Sequence, residues 1–447
     1  MQEVRIEVPR KAEWIINKIE EAGFEAYVVG GCVRDSLLGR IPHDWDITTS
    51  ATPAQVKSIF SKTIDTGIQH GTVTVMVEHE GFEVTTYRID GKYEDGRHPS
   101  EVTFTPSLEE DLKRRDFTIN AMAYNKTKGL IDLFDGMADM EKKQIRCVGN
   151  PVERFSEDAL RMLRAVRFSA QLGYEIDEAT KDAICQLAPN LKKISAERIQ
   201  VELVKLVTSP HPDYLRKAYE TKMTAVFFPE FDRAMQTDQN HPHHCFSVGE
   251  HILHSMTNVS DDKILRLTML FHDLGKPETL TVDEKGITHF HGHAKYSADL
   301  TRTVLRRLKF DNDTIDKVSN LVFFHDYLAG RKVNQYVVRK AMNKAGEENF
   351  ESLLLVVRAD ILAQSDYLRE EKLANLEAWK ENYDQVVKNA QCVNLRTLAV
   401  KGKDLIDLGM KPGKEMGEVL QKLLDHVLEY PEDNEKEILL KKVNELI

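Results

Sequence analysis

Residues 29 to 48 carry the densest chemistry in the chain. They read Val29-Gly30-Gly31-Cys32-Val33-Arg34-Asp35, then Leu37-Leu38-Gly39-Arg40, then Asp44-Trp45-Asp46-Ile47. Paired glycines let backbone come close to a phosphate, and a helix starting there offers free N–H groups to an anion. Arg34 adds a bidentate cation. Asp44 and Asp46 are two apart, so on a strand both carboxylates share one face while Trp45 and Ile47 take the other. Two carboxylates beside a phosphate cradle suit Mg²⁺-assisted phosphoryl or nucleotidyl transfer. A solvated Asp pair at a strand start is the bland alternative. The GG-x-x-R turn just upstream favours catalysis.

The elements that must hold these residues are legible nearby. An apolar run at 26–29 predicts a strand feeding the glycines, and a second strand is expected over 44–48. Runs at 72–78 and 82–88 predict two more, joined by a hairpin-length turn at Glu78-His79-Glu80-Gly81. Helices are expected over 9–22 and 54–60. The result is a small mixed α/β unit with an antiparallel-tending sheet. From about residue 151 the pattern turns helical and stays so to the C-terminus.

The chain has 447 residues and a formal net charge of −11, room for several domains with real cores. That charge argues against broad non-specific nucleic-acid binding, although a local basic surface could still serve RNA. Cys32, Cys147, Cys185, Cys245 and Cys392 are scattered, with no CxxC pair. Such a set suits free thiols in a reducing cytosol. No apolar run is long enough to span a membrane, and the first residues lack a signal-peptide pattern. The expected location is cytoplasmic.

Residues 155 to 168 predict one continuous helix, with Ser156 as N-cap and Glu157 and Asp158 in its first turn. Asp158, Arg161, Arg164 and Arg167 recur every third residue and make one polar stripe. A solvated charged face with ion pairs is one reading. Base recognition is the other. A carboxylate accepts from an exocyclic amine and an Arg donates to a ring nitrogen, the pattern of cytosine and adenine but not of guanine or uracil.

Together these motifs resemble the bacterial-type (class II) tRNA nucleotidyltransferases, the CCA-adding enzymes, and their poly(A) polymerase relatives. The matching stretches are Gly30-Gly31-x-x-Arg34-Asp35 with Asp44-x-Asp46, then Arg114-Arg115-Asp116-Phe117-Thr118-x-Asn120-Ala121 and Asp132-Leu133-Phe134-Asp135-Gly136. Glu157-Asp158-x-x-Arg161-x-x-Arg164 and Ile194-Ser195-x-Glu197-Arg198-Ile199 follow in the family's order. They cover roughly the first 205 residues. The resemblance implies an α/β nucleotidyltransferase head of the polymerase-beta-like kind, followed by an extended all-α neck, body and tail. It implies template-independent addition of CCA to tRNA from CTP and ATP, with pyrophosphate released. It assigns Asp44 and Asp46 to catalytic Mg²⁺. Gly31, Arg34 and Arg115 fall to the nucleotide's phosphates and sugar. Asp158 and Arg161 fall to the base, with Arg164 and Arg167 in support. Glu83 is either a third acid or a hydrogen-bond anchor. The polar segment Asp90 to His98 resembles a loop kept by family members that add the final A, so full CCA addition is expected; A-only addition and poly(A) polymerisation are the alternatives.

Ten of the sixteen histidines lie between His241 and His325. His251, His272-Asp273 and Asp360 resemble the H…HD…D pattern of the HD phosphohydrolases. His293 and His325 match the extra histidines of two-metal members. Imidazole plus carboxylate suits a divalent metal whose identity the residues leave open. The implied activity is phosphatase or 2′,3′-cyclic phosphodiesterase; a relic that only packs, or an RNA-end hydrolase with an inactive head, are the competing readings. His241, His243, His244, His289 and His291 read as ordinary polar residues.

The expected divisions are a head at 1–147, a neck at 148–208, a body containing the HD residues at 209–380 and a tRNA-binding tail at 381–447. The tail's Gly409-Met410-Lys411-Pro412-Gly413-Lys414 segment could meet RNA phosphates or simply turn between helices. The implied partners are tRNA, CTP and ATP, with no membrane and no obligatory protein partner.

Overall fold

Ala12, Ile15, Ile16 and Ile19 recur at helical spacing and form the buried stripe of the first helix, α1 (Arg10–Glu21). The computed structural model describes residues 5–91 and 102–446. The chain divides into two compact units, Met1–Pro229 and Glu230–Ile447.

In the first unit, β1 (Ala26–Val29) leads into α2 (Gly31–Leu37), and β2 (Ile47–Thr49) precedes α3 (Pro53–Ile59). Thr52 caps α3 in a capping box with Gln55, and Pro53 occupies its first turn. β3 (Thr63–Gly67), β4 (Thr72–Val77) and β5 (Glu80–Thr86) follow. The β4–β5 turn places Glu78 and His79 at φ 47° and 71°, as a tight hairpin requires. Along β5, Phe82, Val84 and Thr86 are buried while Glu83 is exposed and Thr85 half-buried.

A short ribbon, β6 (Arg88–Asp90) with β7 (Val102–Phe104), precedes α4 (Leu108–Lys113), β8 (Met122–Asn125) and β9 (Gly129–Asp132). The main sheet runs β3-β4-β5-β2-β1-β8-β9. Only β2 and β5 pair in parallel; all other neighbours are antiparallel. Tyr27, Val29, Tyr87, Leu112 and Ala123 pack as one core beneath it.

The sequence-based expectations hold for the mixed sheet and need three corrections. The strand expected from Asp44 begins at Ile47, so both aspartates lie in the segment before β2. The sheet has seven strands rather than four, because β3, β8 and β9 lack a clean apolar alternation. The helix expected over 155–168 is two helices. Asn150 caps α6 (Pro151–Glu157), which follows α5 (Gly136–Glu141) and β10 (Gln144–Ile145). Asp158 then breaks it with extended φ −142° and ψ 104°, and α7 (Leu160–Leu172) begins anew. Ser156 is therefore not a cap; its hydroxyl donates back to the Val152 carbonyl inside α6. β11 (Glu175–Ile176), α8 (Glu178–Leu187) and α9 (Ala196–Val207) complete the neck, with α7 packed on α9.

The second unit is helical except for a two-stranded hairpin, Thr281–Val282 with Thr288–His289, which interrupts the helical run expected after residue 151. A large core joins Leu321, Phe350, Leu353, Trp379, Leu423 and Val427. Residues 92–98 of the loop discussed above lie outside the described residues.

Candidate functional sites

Gly30 stands at φ 82° at the start of α2, where a Cβ would sit 3.1 Å from the Arg115 guanidinium. That spot needs glycine for its conformation, and a Cβ there would press on the Arg115 side chain. The turn brings β1, the segment before β2 and β5 around a cleft of about 230 Å³ lined by Asp46, Glu83, Thr85, Arg114 and Arg115. The Asp46 carbonyl accepts from the Val29 amide at 3.0 Å, which fixes its backbone against β1. Asp46 is partly open to solvent, yet its carboxyl pKa is raised, first by desolvation in the cleft and then by the Glu83 and Asp44 charges, with Arg115 opposing. Two carboxylates lining the cleft, with the Asp44 charge bearing on one of them, fit a cation.

The arginines are held from behind. Buried Asp111 takes Arg114 at 2.8 Å, lies 3.6 Å from Arg115, and accepts from the Thr48 hydroxyl at 3.0 Å. Arg34 is almost fully buried, paired with Asp35 at 2.8 Å and donating to Asn120 Oδ1 at 2.6 Å. Asn120 donates to Asp116 Oδ1 at 3.3 Å. Asp116 also binds Arg164 through Oδ2 at 2.6 Å. Burial alone would raise the Asp116 carboxyl, but Arg164 and Arg161 bring it down to about 2. Arg34, Arg164 and Arg167 all lie over the Phe168 ring, at 5.1, 5.3 and 3.6 Å from its centre.

In the second unit, five segments converge on Asp273. His251 lies on the helix Val248–Thr257, and His272 ends the helix Lys263–Phe271. His293 starts His293–Arg307, His325 ends Asn312–Phe324, and Asp360 lies on Phe350–Ala363. Gly275 permits this meeting, since a Cβ there would sit 2.6 Å from the Ser297 amide and 2.8 Å from the His293 carbonyl.

Each histidine turns Nδ1 toward a backbone carbonyl. The partners are Ala363 for His251 at 3.3 Å, Met269 for His272 at 2.7 Å, Phe290 for His293 at 2.8 Å and Val322 for His325 at 2.7 Å. With Nδ1 as donor, Nε2 presents a lone pair inward. Yet the Nε2 atoms of His251 and His272 are 3.1 Å apart, and those of His293 and His325 3.2 Å apart. Lone pairs so close need a cation between them or a proton on one.

Asp273 bridges the two pairs. Oδ2 lies 3.4 and 3.3 Å from His251 and His272, and Oδ1 lies 3.4 and 3.6 Å from His293 and His325. Oδ1 is buried without a hydrogen bond. Asp360 Oδ1 completes the first group, 2.9 Å from His251 Nε2. Burial would raise the Asp273 carboxyl; Lys276, 2.7 Å from Oδ2, and His272 hold it well below its ordinary value. The donor set fits one divalent ion on each side of Asp273.

Comparison with known proteins decides the family. The chain is 39% identical over 437 residues to a CCA-adding enzyme of Pediococcus pentosaceus, covering 97% of each. It is 37% identical over 433 residues to one of Enterococcus faecalis, covering 96% of this chain and 94% of that one. The chain belongs to the CCA-adding enzymes. A solved Bacillus stearothermophilus CCA-adding enzyme in complex with CTP matches with a TM-score of 0.73 and 32% identity over 97% of each chain. Within this CCA-adding enzyme, the "Poly A polymerase head domain" model matches residues 26–146. The "Probable RNA and SrmB- binding site of polymerase A" model matches 173–235, and a "tRNA nucleotidyltransferase domain 2" model 278–443. A Thermotoga maritima CCA-adding enzyme complexed with tRNA shares the fold, at a TM-score of 0.62 and 22% identity.

In this CCA-adding enzyme the stripe of Asp158, Arg161, Arg164 and Arg167 is not a free face. Asp158 accepts two bonds from Arg198, at 2.6 and 3.3 Å, and caps the Leu160 amide at 3.0 Å. Arg161 pairs with Glu157 at 2.5 Å and donates to the Arg114 carbonyl at 3.1 Å. Arg167 is buried against Glu202 at 2.8 Å and Gln171 at 2.9 Å. Gly31 is half-buried beside Arg34, its added Cβ falling 3.8 Å from that guanidinium. Asp46, Glu83 and Arg115 come together at the head cleft, with Asp44 near enough to bear on the Asp46 charge, and His251, His272, His293, His325 and Asp360 come together around Asp273. Sequence reasoning missed Asp111, Phe168 and Lys276. Of these only Asp111 carried a signal, its i,i+3 and i,i+4 spacing to Arg114 and Arg115.

Proposed function

We propose that this CCA-adding enzyme extends the 3′ end of tRNA by C, C and A from CTP and ATP, and that its second unit carries a separate metal-dependent phosphoester hydrolase site. What carries the first reading is family membership over nearly the whole chain together with the cleft where Asp46 and Glu83 face Arg114 and Arg115. Asp44 and Asp46 would hold Mg²⁺, which when bound neutralises charge on the attacking and leaving oxygens. Arg115 faces Asp46 and would meet the triphosphate, kept in place by Asp111. Arg34, steadied by Asp35 and Asn120, serves the same nucleotide, with Gly31 leaving room for the phosphates. Asp158 and Arg161 would read the amine and ring nitrogen shared by C and A. For that, Asp158 must loosen one of its bonds to Arg198 when a base arrives. Arg164 and Arg167 act through Phe168 and Glu202 as the frame of that helix.

The hydrolase reading rests on one observation: four Nε2 atoms converge on a carboxylate whose buried oxygen has no hydrogen-bond partner. His251, His272, Asp273 and Asp360 would hold one divalent ion, and His293 and His325 a second. Incubating the enzyme with tRNA ending at the discriminator base and each labelled nucleotide tests the transferase reading. Growth that stops after C, C, A is expected; unlimited A tails would overturn it in favour of a poly(A) polymerase. Hydrolysis of a nucleoside 2′,3′-cyclic phosphate with added Mn²⁺ or Ni²⁺ tests the second site, and hydrolysis that survives His272→Ala would remove it.

A further inference from the structure

The pocket that reaches Asp273, about 800 Å³ in volume, is also lined by the histidines with no sequence-based role, His241, His243, His244, His289 and His291. Four of them continue one series of rings. His291 is exposed, and its ring stacks on His289 at 5.6 Å with planes 5° apart. His289 meets His241 edge-on at 6.3 Å, and His241 meets His244 at 5.9 Å. His244 then meets His251 edge-on at 5.9 Å. His251 is buried and belongs to the group with His272, Asp273 and Asp360. The series therefore runs without a gap from an exposed imidazole to a buried metal-type ligand.

That spacing has a chemical meaning. A divalent transition metal sits about 2 Å from an imidazole nitrogen, so two rings can share one ion when their centres are roughly 6 Å apart. The inner rings have a nitrogen to offer. His289 turns Nε2 to Asp283 Oδ2 at 3.1 Å, which leaves Nδ1. His241 Nδ1 accepts from the His243 amide at 3.3 Å, which leaves Nε2. His244 Nδ1 is buried with no hydrogen-bond partner. Desolvation, and then the nearby His289, hold the His241 pKa below its ordinary value, so its lone pair is free at neutral pH. His243 braces the series instead of joining it: it stacks on His241 at 5.0 Å, and its Nδ1 accepts from the Lys372 ammonium at 2.9 Å. The Thr288 amide on the Asn240 carbonyl, at 3.0 Å, ties the hairpin carrying His289 to the loop carrying His241. Among the described residues, three or more ligand atoms gather only in the two groups at Asp273. The series offers pairs, which hold an ion more loosely than the four ligands of a closed site and let it move on.

We propose that His291, His289, His241 and His244 form an entry path that passes a divalent transition-metal ion from solvent to His251. This rests on the reading of the Asp273 cluster as a metal centre, and it adds the route by which the ion arrives. Imidazoles along the route favour ions such as Ni²⁺, Co²⁺ or Zn²⁺ over Mg²⁺, which keeps to oxygen ligands. A path differs from a ligand set in one measurable way. Damage to a path slows entry and exit by the same factor and leaves the equilibrium where it was, because the bound state is unchanged. Damage to a ligand weakens the bound state itself.

The test follows Co²⁺ entering the metal-free full chain by stopped-flow, read from the visible absorption of the histidine-bound ion. Excess Mg²⁺ is present to occupy the carboxylate cleft at Asp46. Neither hydrolysis nor nucleotide addition is measured. The double substitution His289→Gln, His291→Gln removes the outer rings, and His241→Gln alone breaks the middle of the series. In each variant, Co²⁺ association and Co²⁺ release to a chelator should both slow by about tenfold. The final spectrum, the number of ions bound and the Kd should match the parent. The melting temperature of the metal-free chain should also match in both variants, which separates a lost path from a damaged fold. Association rates equal to the parent's in both variants, with Co²⁺ still bound, overturn the path alone. Fewer bound ions or a weaker Kd also overturn it, and make these rings ligands of the bound ion instead. A parent chain that binds no Co²⁺ overturns the metal reading of the Asp273 cluster, and the path with it.

Discussion

Asp46 and Asp116 are both acidic groups in the first unit, and their surroundings push them in opposite directions. Asp46 is desolvated in its cleft, with Glu83 and Asp44 adding to the effect against Arg115, so its negative charge is disfavoured until a cation arrives. Asp46→Asn should keep the fold and lower CCA addition at least about a thousandfold, measured as single-turnover incorporation of labelled CTP. Addition within about tenfold of the parent would remove Asp46 from the reaction. Asp116 is held charged by Arg164 and Arg161, with its pKa near 2 against an ordinary 3.8. A lowered carboxyl pKa contributes stability that is complete above the unfolded value and fades as pH falls toward the folded one. The parent should therefore lose roughly 2 kcal/mol between about pH 4 and pH 2 through this group. Urea midpoints across that range should fall less steeply in Asp116→Asn; equal slopes would show that Asp116 is not the acid-sensitive group.

At the scale of elements, the break between α6 and α7 does what an unbroken helix cannot. An extended Asp158 turns its carboxylate both to the first amide of α7 and to Arg198 on α9. Asp158→Ala should cost about 1–3 kcal/mol from the lost cap and paired charge, read from the urea midpoint. It should also blur the choice of CTP and ATP over UTP and GTP. Asp158→Asn keeps the cap, so discrimination lost in Asn without lost stability separates base reading from scaffolding. The α2 turn is the other element under constraint. Gly30→Ala must accept a left-handed backbone and crowd Arg115. A loss of about 1 kcal/mol or more, with a raised KM for CTP, is expected.

Across the whole molecule, the cleft at Asp46 and the cluster around Asp273 lie in different compact units, each with its own core. Asp44→Ala should abolish nucleotide addition and leave cyclic-phosphate hydrolysis intact, and His272→Ala should do the reverse. Loss of both activities in either variant would refute separate sites. The converging Nε2 atoms also predict a response to metal. Mn²⁺ or Ni²⁺ should raise the melting temperature and a chelator should reverse the rise, because binding favours the folded state alone. His251→Ala should abolish that shift. Among the described residues no helix is long and apolar enough to cross a membrane.

Motif chemistry was readable from sequence because spacing is local. Gly30, Arg34, Asp44 and Asp46 fall within twenty residues, and His272 and Asp273 are adjacent in a histidine-rich stretch. The helical stretches and the mixed character of the head followed from apolar periodicity. Three features were decided by tertiary contacts that no local pattern encodes. Asp158 leaves the helix because a partner forty residues away, Arg198, takes its carboxylate. Arg167 has the same type and spacing as Arg164 but is buried because Glu202 neutralises it. His243 looks like any polar loop residue until Lys372, 129 positions later, is placed against it. Sequence by itself determined which chemical groups were available; the packing of distant elements decided which are desolvated, which are paired, and which remain for a ligand, because burial and pairing are properties of neighbours in space.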